Sequence, residues 1–397
     1  MKRDLLFLAH RIPYPPDKGD KIRSWHLLRH LSRDWRIHLG AFVDDPEDWR
    51  HADTLREICA DVILLPLHPG TRKWRSLVGL LTGDALTLPY YGNTDLDRWV
   101  QAKLLSGVDT VVAYSSAMAQ YVMAAKPRRR VMDFVDIDSD KWLQYAPTKP
   151  WPLSWLYRRE GLRLLDWERQ VAAEFDASVF VSEVEASDFR KLAPESAGRI
   201  GYYNNGVDAE YFSPVARYPD PYPASTRALV FTGAMDYWPN VDAVVWFAKE
   251  VLPRVMEEHS GAVFYVVGSR PVPEVKALAG PGVVVTGRVE DVRPYLAHAA
   301  AAITPLRIAR GIQNKVLEAM AMAKTVISSR QAMEGIAARI GEEILCADDA
   351  ITFAAATNKA LSGFDCGKAA RARVTADYSW DANLSKVDVL LAEGLPA

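Results

Sequence analysis

The chain has 397 residues, a size that implies two or three domains, and 49% of its residues are hydrophobic. Its 48 basic and 50 acidic residues give a net charge of −2, without the basic excess that a dedicated nucleic-acid binder needs. The apolar stretches fall short of the roughly 20 residues that span a bilayer, and the one near the N-terminus is too short for a secretory signal. We therefore expect a cytoplasmic protein with no nucleic-acid partner.

Short apolar runs alternate with amphipathic stretches along the chain, as in α/β proteins with parallel sheets. The strands predicted in the first half are 4–9, 36–42, 61–65, 110–113, 130–134 and 177–181. Those predicted in the second half are 228–232, 263–267, 283–286, 301–304 and 325–328. Helices are predicted at 241–258 and 312–323. The fold class predicted from this pattern is two doubly wound parallel sheets.

The boundary between the two halves is predicted from turn-forming and proline-rich sequence. NNGVD begins at Asn204, and a proline-rich stretch follows it up to Pro223. The last segment of the chain has the composition of a helix, and the sequence leaves open which half it packs on. The predicted division is a domain at 1–206, a linker at 207–224, a domain at 225–377 and a C-terminal helix at 378–397.

The loop after predicted strand 301–304 concentrates polar and charged residues at a strand end. Ligands of doubly wound sheets bind at the carboxyl ends of the strands, and this loop leads from Pro305 into a predicted helix. One polar stripe of that helix contains Gly311, Asn314, Lys315 and Glu318. A polar stripe that begins at a helix N-terminus indicates a ligand site.

The residue types in this loop favour a nucleotide. Free amides and the helix dipole attract an anion, and Arg307, Arg310 and Lys315 add positive charge. Glu318, one turn further along, is unsuited to an anion but accepts hydrogen bonds from two adjacent hydroxyls, such as those of a ribose. An alternative of equal weight is an ordinary surface ion pair between Lys315 and Glu318 on an amphipathic helix.

Two further charged segments follow predicted strands of the first half. Gly19, Asp20 and Arg23 lie in PDKGDKIR after the first strand, where the glycine permits close approach of a ligand. The alternative is a charged surface turn in which Asp20 caps a helix. The segment lacks G-x-G-x-x-G, which argues against a dinucleotide oxidoreductase.

Asp133, Asp136 and Asp138 follow the strand predicted at 130–134. They are candidates for a functional site, and a solvated loop with a helix cap is the alternative of similar weight. The widely spaced Cys59, Cys346 and Cys366 are in neither disulfide-framework nor zinc-ligand spacing.

Several motifs resemble a known family when taken in chain order. NNGVD, the strand ends at Gly233, Gly268 and Gly287, and GIQNKVLEAMAMAKTVISS resemble glycosyltransferase family 4, the retaining GT-B sugar-nucleotide transferases. Four longer segments are similar to the sugar transferases associated with the PEP-CTERM/XrtA exosortase system: HRIPYPPDKGDKIRSWHLLRHL, DFVDIDSDKWLQYA, FTGAMDYWPNVDAVVWFAKEVLP and ARGIQNKVLEAMAMAK. The resemblance covers nearly the whole chain.

The resemblance implies a fold and an activity. It implies two Rossmann-like domains that face a central cleft, with the nucleotide-sugar donor on the second and the acceptor on the first. The implied reaction is transfer of a hexose from a nucleotide diphosphate sugar to a glycan, one carried on a lipid, in exopolysaccharide biosynthesis. The implied location is the cytoplasmic face of the inner membrane. The family works without a cofactor, and no essential metal is expected.

The resemblance also implies roles for residues around the predicted donor site. Glu318 matches the second glutamate of the family's E-x7-E motif, which holds the ribose, whereas the first glutamate is replaced by Arg310. These two residues and Lys315 are the expected catalytic residues. The other expected donor-binding residues are Gly233, Arg288, Arg307, Gly311, Ile312, Gln313 and Asn314.

On the acceptor side, the family's glycine-containing loop matches Gly19, Asp20 and Arg23, and the family's acceptor-binding position matches Asp133 and Asp136. Retaining members are thought to let the departing phosphate take the acceptor's proton, so no dedicated nucleophile is required. His10 ends the first strand, and we assign it no role as general base.

Tryptophans and basic residues alternate in two segments of the first half. Arg72, Lys73, Trp74 and Arg75 form one group, and Trp142, Trp151, Trp155 and Trp167 lie among Lys149, Arg158, Arg159, Arg163 and Arg169. Aromatic and basic residues together are typical of membrane interfaces, so peripheral membrane contact is one interpretation. Helix faces in the core with solvated arginines opposite are the other, and it has at least equal weight.

Two alternatives to a glycosyltransferase stay open at this stage. In the family, an arginine and a lysine often follow the glycine that matches Gly233, whereas this sequence has Met235, Asp236 and Asn240 there. Together with the missing first glutamate, this difference favours a non-catalytic partner that only binds a nucleotide-sugar. A sugar-nucleotide epimerase on the same fold is the second alternative.

Overall fold

The computed structural model of the protein describes residues 2–309 and 311–392. The chain forms two compact units. The first comprises the described residues up to Asn204 and those from Asn383 onward, and the second comprises Asn205–Ala382. Within the described residues, no helix is long and apolar enough to cross a membrane.

The first unit is built on a parallel sheet of seven strands in the order β3-β2-β1-β4-β5-β6-β7. Its strands are β1 Arg3–Ala9, β2 Trp35–Val43, β3 Asp61–Pro66, β4 Thr110–Tyr114, β5 Arg129–Val135, β6 Ala177–Phe180 and β7 Ile200–Tyr202. The strand order reverses between β1 and β4, which places the crevice of a doubly wound sheet at the carboxyl ends of these two strands.

Helices cover this sheet and bury its apolar strands. They are α1 Gly19–Leu31, α2 Ala52–Ile58, α3 Pro69–Ser76, α4 Val78–Thr82, α5 Thr87–Tyr91, α6 Thr94–Leu105, α7 Asp138–Tyr145, α8 Leu153–Glu174 and α9 Glu183–Leu192. Side chains cap the N-termini of two of these helices. Asn93 accepts from the amides of Asp95 and Leu96 at the start of α6, and Ser182 accepts from Glu185 N at the start of α9.

The second unit is built on a parallel sheet of six strands in the order β10-β9-β8-β11-β12-β13. Its strands are β8 Arg227–Thr232, β9 Ala262–Val267, β10 Val283–Gly287, β11 Ala301–Thr304, β12 Val326–Ser328 and β13 Leu345–Cys346. The order reverses between β8 and β11, so the expected ligand position is at the ends of these two strands. Two doubly wound parallel sheets were predicted from the sequence, and the structure confirms them.

The helices of the second unit are α10 Trp238–Trp246, α11 Leu252–Glu258, α12 Pro273–Lys276, α13 Arg293–His298, α14 Asn314–Ala321, α15 Ala350–Leu361 and α16 Gly367–Asp377, and α17 Trp380–Ala392 follows them. The helix predicted at 241–258 is divided into α10 and α11 by a π turn at Phe247–Val251. Pro253, which has no amide hydrogen, lies at the start of α11 and prevents a continuous α-helix.

Residues 207–224, predicted as a linker, pack on the second unit. Val207 and Tyr222 are buried in its core. Val207 N donates to Tyr378 O at 2.8 Å, and the Tyr222 hydroxyl donates to Tyr295 O at 2.6 Å. Proline-rich composition indicated a linker because it excludes regular structure, but it does not exclude packing through a few apolar anchors.

The end of α17 belongs to the first unit. Asp388 accepts from His30 Nε2 at 2.8 Å, and Leu390 O accepts from Arg129 Nε at 2.7 Å. The sequence left open which half this helix packs on. The grouping of residues from Asn383 onward with the first unit answers that question.

Candidate functional site

The carboxyl ends of β8, β9 and β10 meet through glycines. Gly233 N donates to Val267 O at 3.0 Å, and Gly268 N donates to Gly287 O at 3.2 Å. A Cβ atom added to Gly268 would lie 1.6 Å from Gly233 O, so no side chain fits there. Main-chain atoms of Gly233 and Gly268 therefore form part of this corner of the second unit.

Lys315 reaches this corner from the start of α14. A Cβ atom on Gly233 would lie 2.8 Å from Asn240 Nδ2 and 3.1 Å from Lys315 Nζ. The ammonium donates to Asn240 Oδ1 and lies 4.3 Å from the centroid of the Phe231 ring. Asn240 Nδ2 in turn donates to Ala234 O at 2.8 Å. Asn240 thus holds the Lys315 ammonium beside Gly233, at the point where the strand order reverses.

The charges of Lys315 and Glu318 are both destabilised by burial. Desolvation lowers the pKa of Lys315 to about 7, and the nearby Glu318 carboxylate only partly opposes this shift. Desolvation also raises the pKa of Glu318 to about 7, against the effect of Lys315. Perturbed pairs of this kind are concentrated at functional sites.

The interpretation of Lys315 and Glu318 as a surface ion pair does not fit the geometry. Both side chains are partly buried, and no ion pair within 4.0 Å joins them in the described part of the chain. Among the described residues, none donates a hydrogen bond to the Glu318 carboxylate. The described residues therefore leave the acceptor positions of Glu318 to a ligand.

The start of α14 presents backbone amides. No side chain caps the helix at Gln313, and the first helical bonds are donated by Val316 N and Leu317 N. Within the described residues, the amides of Asn314 and Lys315 donate no hydrogen bond, as at other helix N-termini that bind anions. Gly311, which is buried, has a φ of 64°, a conformation that favours glycine.

The remaining residues predicted in this loop have distinct positions. Asn314 Oδ1 accepts from Asn205 Nδ2 at 3.4 Å, Gln313 Nε2 donates to Gly311 O at 3.1 Å, and the Ile312 side chain is part of the core. Ile312 can therefore contribute only its backbone to a ligand. Arg310 lies outside the described residues.

Two cations predicted to neutralise phosphate differ in their pairing. Arg307 Nε lies 2.9 Å from Asp242 Oδ2, so the charge of Arg307 is compensated within the protein. Hydrogen bonding to Asp242 raises the pKa of Arg307. Arg288 is exposed after Gly287, and the described residues offer it no hydrogen bond or ion pair. Lys315 and Arg288 are thus the uncompensated cations of this site among the described residues.

In the first unit, Arg23 and Asp133 have a structural role, contrary to the sequence-based expectation of a ligand loop. Arg23 is 0% and Asp133 1% exposed. The guanidinium donates to Asp133, to Tyr203 O at 2.9 Å and to Phe180 O at 3.3 Å, and it lies 3.5 Å from the centroid of the Tyr203 ring. Burial opposes the charge of Arg23, but Asp133 outweighs it and raises the pKa of the guanidinium. Neither residue is accessible to an acceptor.

Asp20 is not the helix cap that the alternative interpretation required. The N-cap of α1 is Lys18, and the Asp20 carboxylate instead accepts from Arg11 and lies 3.3 Å from His10 Nε2. Burial raises the pKa of Asp20, but the hydrogen bond from His10 and the charge of Arg11 outweigh burial and hold it below its usual range. At Gly19, a Cβ atom would meet no protein atom within 4 Å, so the packing of the fold does not itself require a glycine there.

Asp136 and Asp138 share one cation. Lys141 Nζ lies 2.8 Å from Asp136 Oδ2 and 3.0 Å from Asp138 Oδ1. Nearby, burial and the charge of Asp138 raise the pKa of Glu168 to about 8, so this carboxyl group is largely protonated at neutral pH. In the described part of the chain, no group of three or more His, Cys, Asp or Glu residues is arranged to hold a metal ion.

The sequence did not indicate which residues hold the predicted site residues in place. Asn240 and Asp242, which hold Lys315 and Arg307, lie on α10, more than sixty residues earlier in the chain. Burial raises the pKa of Tyr211, with Glu318 the smallest of the charges that contribute, and Tyr211 stacks under the Arg293 guanidinium at 3.8 Å. No sequence signal pointed to Tyr211, because it lies in the segment predicted as a linker.

The fold is shared with solved glycosyltransferase structures of low sequence identity. Sucrose-phosphate synthase from Thermosynechococcus elongatus is 17% identical with a TM-score of 0.70, and covers 98% of both chains. WaaG, a glycosyltransferase involved in lipopolysaccharide biosynthesis, is 15% identical with a TM-score of 0.69, over 98% of this chain and 100% of that one. HepE from Anabaena, solved in complex with UDP, is 15% identical with a TM-score of 0.65, over 99% of this chain and 100% of that one.

A family match falls on the second unit. Residues 226–363 match the family described as glycosyl transferases group 1, a segment that includes Gly233, Lys315 and Glu318. Among curated proteins, none matches the sequence significantly. The family match over residues 226–363 and the fold of the solved structures together support a GT-B glycosyltransferase.

Proposed function

We propose that this chain is a retaining glycosyltransferase of family 4 that moves a hexose from a nucleotide diphosphate sugar to a glycan acceptor carried on a lipid. The second unit binds the donor and the first unit binds the acceptor. The resemblance of four long motifs to PEP-CTERM/XrtA-associated transferases supports a role in exopolysaccharide biosynthesis, at the cytoplasmic face of the inner membrane.

The observation that carries this proposal is the placement of Glu318 and Lys315 on the second unit. Both lie on α14, and Lys315 Nζ lies beside Gly233 at the end of β8. A cation beside main chain suits the diphosphate, and a carboxylate one turn away, to which no described residue donates a hydrogen bond, suits the two hydroxyls of a ribose. HepE, which shares the fold, was solved with UDP and with UDP-glucose.

The chemistry depends on the charge of the leaving group. When the bond from the anomeric carbon to the diphosphate breaks, negative charge develops on the diphosphate oxygen. The Lys315 ammonium, the exposed Arg288 and the amides at the start of α14 stabilise that charge. A hydroxyl of the acceptor forms the new bond on the same face of the sugar, and its proton passes to the departing diphosphate.

Lys315 gains its full charge when the donor binds. Its pKa of about 7 leaves it partly neutral in the free protein. The phosphate charge raises this pKa, so the ammonium form is favoured when the leaving group needs it. No cofactor takes part in this scheme, and protein cations perform the role that a metal has in other transferases.

For the acceptor, the residues of the first unit that stay available are fewer than the sequence indicated. Arg23 and Asp133 are used within the fold. We assign acceptor binding to Asp20, in the first turn of α1, and to Asp136, just after β5, because both carboxylates are partly exposed. Carboxylates accept hydrogen bonds from sugar hydroxyls.

The test is transfer from radiolabelled nucleotide-sugars into bacterial lipid extract, after a thermal-shift screen has identified which nucleotide-sugar raises the melting temperature. Wild type is expected to label the lipid fraction. Glu318→Gln is expected to lose at least about 100-fold in transfer rate because the ribose is no longer held. The matched control Glu257→Gln, an exposed position on α11, is expected to retain the wild-type rate.

Three outcomes contradict the proposal in different ways. Binding of a nucleotide-sugar with no transfer in any extract indicates a non-catalytic binding partner. Conversion of the donor alone, followed by NMR without acceptor, indicates an epimerase. Equal rates for wild type and Glu318→Gln remove the assigned role of α14.

A further inference from the structure

One surface of the first unit combines large exposed apolar side chains with basic ones. It consists of residues 72–82 in α3 and α4 and residues 149–163 at the start of α8, and we call it the Trp–Arg surface. Trp74 is 77% exposed, Leu81 is 89% exposed and Trp151 is 82% exposed. Exposed side chains of this size, grouped together, indicate an interaction site.

The two segments of the Trp–Arg surface are fastened to each other. Arg159 donates from Nη2 to Gly79 O at 2.7 Å and from Nη1 to Asp84 O at 3.1 Å. The next residue, Glu160, is buried and accepts from Leu86 N at 2.6 Å and from Thr87 N at 3.0 Å. These bonds hold the start of α8 against the α4 to α5 segment, and α3 packs on α5, so the segments that carry Trp74 and Trp155 adjoin.

The structure separates the tryptophans that sequence analysis had grouped together. Trp142 packs edge-on against Tyr157 at 4.8 Å, and Trp167 Nε1 donates to Ser116 O at 2.9 Å. These two pack within the fold. Trp74, Trp151 and Trp155 are exposed, so the expectation of an interfacial composition applies to them alone.

The Trp–Arg surface carries a local excess of positive charge. Residues 72–82 and 149–163 contain seven lysines and arginines and one acid, Glu160, in a chain whose net charge is −2. Two of the seven add little to the surface, because Arg72 is buried and Arg163 pairs with Asp166 at 3.6 Å. The Glu160 carboxylate is buried and accepts hydrogen bonds from backbone amides. Lys73, Arg75 and Arg158 are exposed, and within the described residues they make no hydrogen bond or ion pair.

We infer that the Trp–Arg surface docks the first unit on a bilayer of anionic phospholipids. Tryptophans insert at the level of the headgroups, while unpaired lysines and arginines are attracted to anionic headgroups. Because no described helix spans a membrane, the association is with the bilayer surface. A second copy of the chain is a poorer occupant, because a symmetric contact would bring like charges together.

The test is sedimentation of the full chain with vesicles of phosphatidylcholine alone or with about 30 mol% phosphatidylglycerol at low salt. Wild type is expected to sediment with the anionic vesicles and to dissociate as salt increases. Trp74→Ser/Leu81→Ser and Lys73→Glu/Arg75→Glu are each expected to lower the partition coefficient at least about 10-fold.

Matched controls distinguish the surface from general effects of charge and hydrophobicity. Leu105→Ser removes an equally exposed leucine at the end of α6, and Lys249→Glu/Lys368→Glu makes the same change in charge on the second unit. Both are expected to bind vesicles like wild type. UDP binding is measured for every variant, because an unchanged affinity shows that the second unit is intact.

The inference is overturned if wild type does not sediment with anionic vesicles at low salt, or if the surface variants and the controls bind equally. It is also overturned if ultracentrifugation shows a wild-type dimer that Trp74→Ser/Leu81→Ser converts to monomer with vesicle binding unchanged. The result does not depend on transferase activity, since vesicle binding is measured without any sugar donor.

Discussion

Arg23 Nε lies 3.0 Å from Asp133 Oδ2, and this ion pair joins α1 to β5 in the interior of the first unit. Replacing one member of a buried pair leaves the other charge uncompensated, so Arg23→Met is expected to destabilise this unit by about 3–5 kcal/mol. Urea unfolding measures the loss. Arg23→Met/Asp133→Leu, which removes both charges, is expected to be the more stable of the two variants.

Arg36→Met is the matched control for that prediction. Arg36 and Asp4 form an exposed pair with Nε 2.5 Å from Oδ1, and breaking it is expected to lower the stability far less than Arg23→Met does. Equal losses for Arg23→Met and Arg36→Met would show that burial does not set the strength of the Arg23 pair.

Two glutamates of the second unit are expected to respond oppositely to replacement by glutamine. Burial raises the pKa of Glu318 to about 7, so its folded form loses stability as pH rises from 4.5 through 7. Glu318→Gln, which cannot ionise, is expected to be about 1–3 kcal/mol more stable than wild type near pH 8. Denaturant unfolding near pH 8 and near pH 4 measures the difference, which should vanish at the lower pH.

Glu343 is the second of these glutamates, and its pKa is shifted in the opposite direction. Burial opposes its ionisation, but hydrogen bonds from Arg373 and Arg339 outweigh burial and lower its pKa to about 2. Its contribution to stability is present above pH 4.5 and is lost as pH falls through about 2. Glu343→Gln is therefore expected to destabilise the protein by about 1–3 kcal/mol near pH 8. A gain for Glu343→Gln or a loss for Glu318→Gln at that pH would contradict these assignments.

Binding of UDP is expected to take up a proton at about pH 8, because the diphosphate raises the pKa of Lys315 from about 7. Calorimetry in buffers of different ionisation enthalpy measures this uptake. Lys315→Met is expected to abolish it and to weaken UDP binding by at least about 10-fold. Lys276→Met, an exposed lysine of α12, is the control. Binding enthalpies that are independent of the buffer would exclude Lys315 as the proton acceptor.

Gly233→Ala is expected to displace the Lys315 ammonium and to weaken UDP binding by about 10-fold or more, since its Cβ would lie 3.1 Å from Nζ. Stability is expected to fall by only about 1–3 kcal/mol. Gly280→Ala, whose Cβ would meet nothing within 4 Å, is the control. Thermal shift with and without UDP separates the two effects. Unchanged affinity for Gly233→Ala would place the diphosphate elsewhere.

Much of the second unit could be predicted from the sequence because the patterns that indicate its strands and helices lie within short segments of the chain. Strands there are short apolar runs that end in glycine, and the polar stripe of α14 comes from residues within one helix. The three-residue β7 and the two-residue β13 were not predicted, since runs of that length have no periodicity. Local patterns thus located the strand ends, and the chemistry at those ends followed from residue type.

Interactions between distant residues were beyond the reach of that reasoning. Arg23 and Asp133 are 110 positions apart in the sequence. Each has the residue type of a ligand-binding group, and only the structure shows that they form an ion pair with each other. Arg307 resembles a free cation until Asp242 is seen beside it. Long-range pairing sets which polar residues stay available, and a single sequence contains no record of such pairing.

The meeting of Gly233 O with Gly268 has a consequence for engineering donor preference. Because a Cβ atom on Gly268 would collide with Gly233 O, this part of the surface consists of backbone atoms, and substituting neighbouring residues does not change those atoms. Mutagenesis libraries aimed at other nucleotide-sugars would therefore leave these glycines fixed and randomise the periphery, beginning with Arg288. Compounds that contact only the invariant peptide groups would be hard to escape by point mutation, and equally hard to make selective.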